Sequence, residues 1–396
     1  METAKASAAR GAAKLVLVLA VLAVGLLAGW SAREHWLARD QAIVVKALTH
    51  QTPLAAKRTT DQTPPSPRPT EAQARILSRL MPDPRIVNTH EHLMDRPPAI
   101  AKLEAANLRA GVVATALVAS SRYTFTLRKG TGFVDHHRNN EFLCRLAREN
   151  PGQYYAFVTF DPDEDDIVRK LEEYLAKGAM GVKLYAGHGA KTGDGRPFHV
   201  CPLDDPKLLL LYEYCERHRI PICLHINMRK FADEAFRVFE RYPDLPMIVP
   251  HFALWSGKLS NLDRLLTDYP SLMTDNSFGW WYSDAGLRRY DKNRRRFREF
   301  VIRHQDRILF GTDVVITDYR GKSADALTDF WLSYRCSLEL AEYDFVDRHY
   351  KEPKVYHFKG LALPEEVVRK IYRGNWERLL ERIGRSEPAP ALLSDD

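Results

Sequence analysis

Cysteine is scarce in this 396-residue chain and never paired at short range: Cys144, Cys201, Cys215, Cys223 and Cys336 form no C-x-x-C, and their odd number excludes a complete disulfide framework. They read as small core residues, so a bound metal would be held by nitrogen and oxygen. No Gly-rich dinucleotide fingerprint and no phosphate-binding loop follows any apolar run, which weakens a Rossmann-type reading. No nucleic-acid motif accompanies the formal charge of +7. Its densest basic run, Arg288 to Arg298, reads as the solvated face of an amphipathic helix, and no nucleic-acid partner is expected.

One long hydrophobic run stands near the start. Lys5, Arg10 and Lys14 precede Leu15 to Trp30, and the apolar stretch extends to Ala32 before Arg33-Glu34. That length lies at the lower limit for spanning a bilayer and slightly above a typical signal-peptide core. Gly29-Trp30-Ser31 is a poor cleavage site, and Trp30 suits the membrane edge. The expectation is a basic cytoplasmic segment over 1–14 and a single-pass signal anchor over 15–32, with the rest of the chain extracytoplasmic, periplasmic in a bacterium. Cleavage would instead make the protein secreted. Residues 33–75 read as a juxtamembrane helix and a linker rich in proline (Pro53, Pro64, Pro65, Pro67 and Pro69), a composition that cannot bury a core. Residues 386–396 read as a disordered tail.

What is plentiful is core material: hydrophobic content is 45%, with 17 Tyr, 17 Phe and 7 Trp. A short helix is expected over Ala72 to Leu80, and the folded domain spans 76–385. Within it, apolar strand candidates alternate with amphipathic segments. The strands are Ile86 to Thr89, Val112 to Ala119, Tyr155 to Phe160, Gly181 to Tyr185, Ile220 to Ile226, Met247 to His251, Leu272 to Asp275 and Ile308 to Asp313. Helical spacing marks Asp166 to Lys177, Lys207 to His218, Phe231 to Tyr242 and Leu259 to Tyr269. Eight such units in an α/β chain predict a (β/α)8 TIM barrel.

The strand ends carry the chemistry. His90 and His92, at i and i+2 in Thr89-His-Glu-His, point to one side of an extended backbone. Lys183 lies in strand four, His225 ends strand five, His251 ends strand six, and Asp313 ends strand eight in Leu-Phe-Gly-Thr-Asp. From His92 to Lys183 the chain covers three predicted units, from Lys183 to His225 and from His225 to His251 one each, and from His251 to Asp313 two. Side chains at the C-terminal ends of barrel strands meet at one mouth, where barrel active sites lie. Alone, His225 reads as a rim residue, Asp313 as a helix cap and Lys183 as a snorkelling lysine; together they read as a metal centre. His136, His137, His188, His199 and His304 fall outside the pattern and read as surface or supporting residues.

This constellation resembles the amidohydrolase superfamily, and its phrasing is most similar to the amidohydrolase-related branch that includes aminocarboxymuconate semialdehyde decarboxylase. Leu363 to Leu380, with Gly374-Asn375 before an apolar turn, resembles the closing helix of that branch. The resemblance implies a divalent metal, Zn2+ first, held by His90, His92, His225 and Asp313, with Asp313 accepting a proton from water and His251 as a catalytic residue. In binuclear members a carboxylated strand-four lysine and the strand-six histidine hold a second ion, which here would be Lys183 and His251. One ion is the expectation, leaving Lys183 unmodified to pair with a substrate carboxylate or an active-site acid. Arg122 and Arg229, after strands two and five, are further candidates for an anionic group at the mouth. Tyr185, His188, Phe278, Trp280, Trp281 and Tyr282 either wall a pocket for a cyclic substrate or pack their own loops.

The implied reaction is metal-dependent hydrolysis of a C–N or C–O bond (amide, lactone or ester) in a small molecule. The alternative is nonoxidative decarboxylation of an aromatic or muconate-type acid. Decarboxylases of the branch often carry a Gly-rich turn after the strand-six histidine, and His251-Phe-Ala-Leu-Trp lacks it. A third reading, from another class, is a non-catalytic binding protein anchored to the membrane. A homo-oligomer is compatible with all three.

Overall fold

The computed structural model describes residues 66, 68–126, 133–188, 201–280, 283–347 and 354–385. Helix α1 (Glu71–Leu77) opens with a capping box in which Thr70 and Gln73 bond each other's backbone N–H. There follow β1 (Ile86–Leu93), α2 (Pro97–Ala110), β2 (Val112–Val118), α3 (Arg122–Thr126), α4 (His136–Glu149), β3 (Tyr154–Thr159), α5 (Ile167–Ala176), β4 (Ala179–Gly187), α6 (Pro206–Arg217), β5 (Ile222–Ile226) and α7 (Ala232–Arg241). The second part holds β6 (Met247–Ile248), α8 (Leu259–Asp268), β7 (Leu272–Asp275), α9 (Ser283–Lys292), α10 (Arg294–Arg303), β8 (Ile308–Leu309), β9 (Val314–Ile316) and α11 (Ala324–Glu339). Last come β10 (Glu342–Asp347), β11 (Lys354–Lys359), α12 (Glu365–Arg369) and α13 (Asn375–Arg382).

Nine parallel strands form one sheet in the order β8-β7-β6-β5-β4-β3-β2-β1-β9. Each of β1 to β8 pairs with its neighbour in sequence, as helical crossovers dictate. All eight residues of β1 and all nine of β4 are buried, because helices cover one face and the interior is filled on the other. The two ends of the sheet are pieces of one strand. Thr89 N donates to Phe310 O at 2.8 Å and Asp313 N to His90 O at 2.8 Å, and β9 then pairs with β1 (His92 opposite Val315), which closes the sheet. The expected single strand from Ile308 to Asp313 is therefore corrected. The chain leaves the ladder after Leu309 and re-enters it after Asp313, whose φ of 58° turns the backbone.

The closed sheet has two apolar layers. Outside, strand residues such as Leu117, Val158, Val182 and Leu224 pack against the helices. Inside, Val87, Ala116, Phe157, Met180, Ile248 and Leu309 fill the interior, and Trp376, Leu379 and Leu380 of α13 join them as a plug. Asn375 fixes the plug, donating to Gln305 O at 2.7 Å and Ile308 O at 2.6 Å. The basic run falls on α9 and α10. Rather than standing free, Arg288 lies over the rings of Tyr356 and Phe358, and Arg294 donates to Gly360 O at 2.6 Å. It helps seat the β10–β11 hairpin, an element the sequence did not announce.

Among the described residues no helix is long and apolar enough to cross a membrane. The expected cytoplasmic segment, the anchor over 15–32, the linker through residue 65, His199, Trp281, Tyr282 and the tail 386–396 all lie outside the described residues.

Candidate metal centre

Three imidazoles converge on one carboxylate at the C-terminal ends of the strands. His92 Nε2 is 3.1 Å and His90 Nε2 3.5 Å from Asp313 Oδ1, and His251 Nε2 is 3.7 Å from Asp313 Oδ2. Asp313 reaches this point because its left-handed backbone aims it inward and because Gly279 (φ 72°) leaves it room: a Cβ there would sit 2.9 Å from Asp313 Oδ2.

In each imidazole the other nitrogen is tied. His90 Nδ1 lies 2.8 Å from Asp275 Oδ2, His92 Nδ1 2.6 Å from Ser120 Oγ, and His251 Nδ1 2.7 Å from Ser277 Oγ. Asp275 also accepts from His251 N at 2.9 Å and Ser277 N at 3.0 Å, so a single carboxylate fixes two of the three histidine positions. An Nδ1 proton spent on such a partner leaves the Nε2 lone pair facing Asp313, the tautomer a metal requires.

Electrostatics agree. Burial, followed by the charge of Lys183, pushes His90 down to about 4, and burial lowers His92. Both rings are neutral at pH 7, as ligands must be. Burial alone would raise Asp313, but in the acid range where a carboxyl titrates the imidazolium charges of the surrounding histidines outweigh it and hold the carboxyl far below its ordinary range. Asp275 is held down in the same way, chiefly by His90. Neutral imidazole nitrogens beside an ionised carboxylate, a donor group that includes no cysteine among the described residues, suit a borderline divalent ion.

The expected residues are distributed as follows. His90, His251 and Asp313 have donor atoms within 4.8 Å of one another, and His92 shares Asp313 with them. His225 is adjacent but outside this group: its ring centroid is 4.7 Å from that of His251 and 4.2 Å from that of His188. Lys183 is fully buried, with Nζ 3.2 Å from His90 Nε2 and 3.5 Å from Cys223 Sγ. Arg122 is exposed and paired with Asp135, and Arg229 is exposed on the connection after β5. Tyr185 stacks 6.4 Å from His92 and donates to Ala119 O at 2.6 Å. Phe278 and Trp280 pack their own surroundings, Phe278 on Tyr290 at 5.6 Å and Trp280 on Phe330 at 4.9 Å.

Sequence reasoning passed over Asp275, Ser120, Ser277 and the inward position of His188. Asp275 had a usable signal, a polar residue ending the seventh strand. The serines had none, because their role depends on where the histidine rings turn.

A second group, His136, His137 and Glu164, gathers where α4 begins and where the chain leaves β3. Lys170 Nζ (2.6 Å) and Asp161 N (2.9 Å) also bond Glu164, which completes an ion-pair cluster.

Residues 87–382 match the family model described as amidohydrolase. No curated protein matches the chain significantly. Among solved structures, an uncharacterized TIM-barrel protein from Bordetella bronchiseptica is 17% identical with a TM-score of 0.50, covering 76% of this chain and 99% of that one. A probable 2-pyrone-4,6-dicarboxylic acid hydrolase from Acinetobacter baumannii is 11% identical, with a TM-score of 0.48 and coverage of 76% and 99%. The 5-carboxyvanillate decarboxylase of Sphingomonas paucimobilis is 15% identical, with a TM-score of 0.44 and coverage of 75% and 99%. At such identity the first likeness speaks for the fold alone.

Proposed function

The chain belongs to the amidohydrolase family, and from that premise we propose that it is a metal-dependent hydrolase of a C–N or C–O bond in a small molecule. The observation that carries this reading is the convergence of three Nε2 atoms, each with its Nδ1 occupied, on Asp313. His90, His92 and Asp313 would hold one divalent ion, Zn2+ being the first candidate, with His225 entering the set by a turn of its ring. When bound, the ion supplies Lewis acidity, polarising a substrate oxygen and lowering the pKa of water.

The remaining work falls to the chain. Asp313 is an ionised carboxylate open to the mouth, placed to take a proton from attacking water. His251 faces the other oxygen of the same carboxylate and stands to pass a proton to the leaving group. Lys183 is buried beside His90 and contributes a fixed positive charge to the floor of the site. The segment 15–32 would tether this domain to a membrane, to be checked by whether detergent rather than salt releases the protein from membranes.

For a second reading, nonoxidative decarboxylation, one feature removes an objection. The turn after β6 lacks glycine, yet His251, Phe252, Ala253 and Leu254 all take positive φ (60°, 50°, 54° and 54°), the conformation glycine would supply. The missing glycine therefore does not count against a decarboxylase. Metal analysis combined with substrate screening tests both readings. Purified protein should carry about one divalent ion per chain, and His90→Ala with His92→Ala should lose both the ion and turnover. Amides, lactones and esters turned over with incorporation of solvent oxygen support hydrolysis; CO2 release from aromatic acids without it supports the alternative. Turnover that survives loss of both histidines would sink the proposal.

A further inference from the structure

Two guanidinium groups stand together on the rim of the barrel mouth, and neither meets a carboxylate among the described residues. Arg229 lies in the connection after β5, Ser256 in the connection after β6, and Arg289 on α9 after β7. All three follow strands whose ends carry site residues: β5 with His225, β6 with His251 just beyond it, and β7 with Asp275. Arg289 is partly buried and donates from Nη1 to Ser256 Oγ at 2.7 Å. Arg229 reaches toward the next residue, its Nη2 lying 3.4 Å from where a Cβ on Gly257 would be. The two side chains thus converge on Ser256 and Gly257, a hydroxyl and a bare backbone.

Such an arrangement is costly when left alone. Taking a charge even partly out of water is unfavourable unless it is paired, and a like charge nearby adds to the cost. Burial and the neighbouring Arg229 both act against the protonated state of Arg289. A guanidinium retains its charge regardless, so relief has to come from an anion. Arg presents a planar fork that fits carboxylate or phosphate oxygens, and Gly257 sets no side chain of its own against the Arg229 fork.

We infer that Arg229 and Arg289 form a subsite for an oxyanion, carboxylate or phosphate, carried by the small-molecule substrate. The assignment of that anion to a substrate rests on the metal-centre reading; the anion site itself does not. The substrate class is then an anionic small molecule, held at one end by the arginine pair while its reacting bond lies over the histidines.

The test is isothermal titration of the full-length protein with benzoate and with phenyl phosphate, at low and high salt. Salt-sensitive binding of either probe is expected. Arg229→Gln and Arg289→Gln should each weaken it by about tenfold or more. Arg289→Lys, which keeps the charge but loses the fork, should retain part of the affinity. The tighter probe identifies the oxyanion. His90→Ala with His92→Ala should leave the binding in place, so a failed metal reading and a failed anion site are told apart. No binding of either probe at millimolar concentration overturns the proposal, as does undiminished binding by the double arginine variant. Binding lost only in the histidine variant also overturns it, because it would place the anion on the metal centre.

Discussion

Asp275 controls more of the site than any of the residues it supports. One oxygen accepts from the His90 ring, and the other accepts from His251 N and from Ser277. Asp275→Asn retains the shape but loses the charge that fixes the His90 tautomer, so divalent-metal affinity should fall about 10- to 100-fold while the fold persists. Chelator competition measures the first and circular dichroism the second. Glu91, on β1, shows the opposite outcome. Lying between His90 and His92, it points away from Asp313 into the layer beneath α11, where it takes bonds from Asn88, Val314 N and Trp331. Burial raises it to about 8. The alternation that put the two imidazoles on one face necessarily put this carboxyl on the other.

Among the elements, the turn from His251 to Leu254 is held against its own preference. A left-handed backbone costs non-glycine residues roughly 1–2 kcal/mol each, so packing must hold this one in place. Phe252 supplies the packing: its fully buried ring sits 6.1 Å from Phe278, Phe297 and Phe300 and 6.4 Å from Tyr290. Phe252→Ala should destabilise by about 3–5 kcal/mol in urea titrations and release His251 from Asp313, lowering turnover more than metal content. The cluster between α4 and the β3–α5 connection depends on pH. Burial alone would raise Glu164, but hydrogen bonds from His136 and Lys170 pull it to about 2. A folded-state value below the unfolded one gives stability that is complete above about pH 4.3 and is lost as the pH falls toward 2. Glu164→Gln should therefore cost on the order of 2 kcal/mol at pH 6, a deficit that shrinks steadily below pH 4. A deficit independent of pH would show that the carboxylate's charge is not what matters.

On the scale of the whole molecule, the barrel is a closed shell sealed from inside. Trp376 enters the interior and lies 5.1 Å from Tyr155 and 6.5 Å from Phe157. Trp376→Ala should cost about 3–5 kcal/mol, read as a lower urea midpoint with unchanged slope, because the plug touches several strands at once. Much of this architecture was legible beforehand. The helices expected over Asp166 to Lys177 and Leu259 to Tyr269 form over Ile167–Ala176 and Leu259–Asp268, since amphipathic spacing is local and reports which face is buried. Of the six residues singled out at strand ends, His90, His92 and His251 meet the carboxylate of Asp313, while Lys183 and His225 stand beside His90 and His251. What stayed hidden depends on long-range contacts. The break between Leu309 and Val314, the left-handed turn at His251 and the placement of His225 against His188 have no local signature. Nor does the meeting of Arg229 with Arg289, residues on separate connections. By itself the sequence determined the alternation of elements, the shared face of His90 and His92, and the stock of nitrogen and oxygen donors at the strand ends, because side-chain direction follows from backbone period alone. Only the tertiary structure decided which imidazole faces Asp313 and with which nitrogen, because backbone sign and ring orientation there are set by packing against residues far away in the chain.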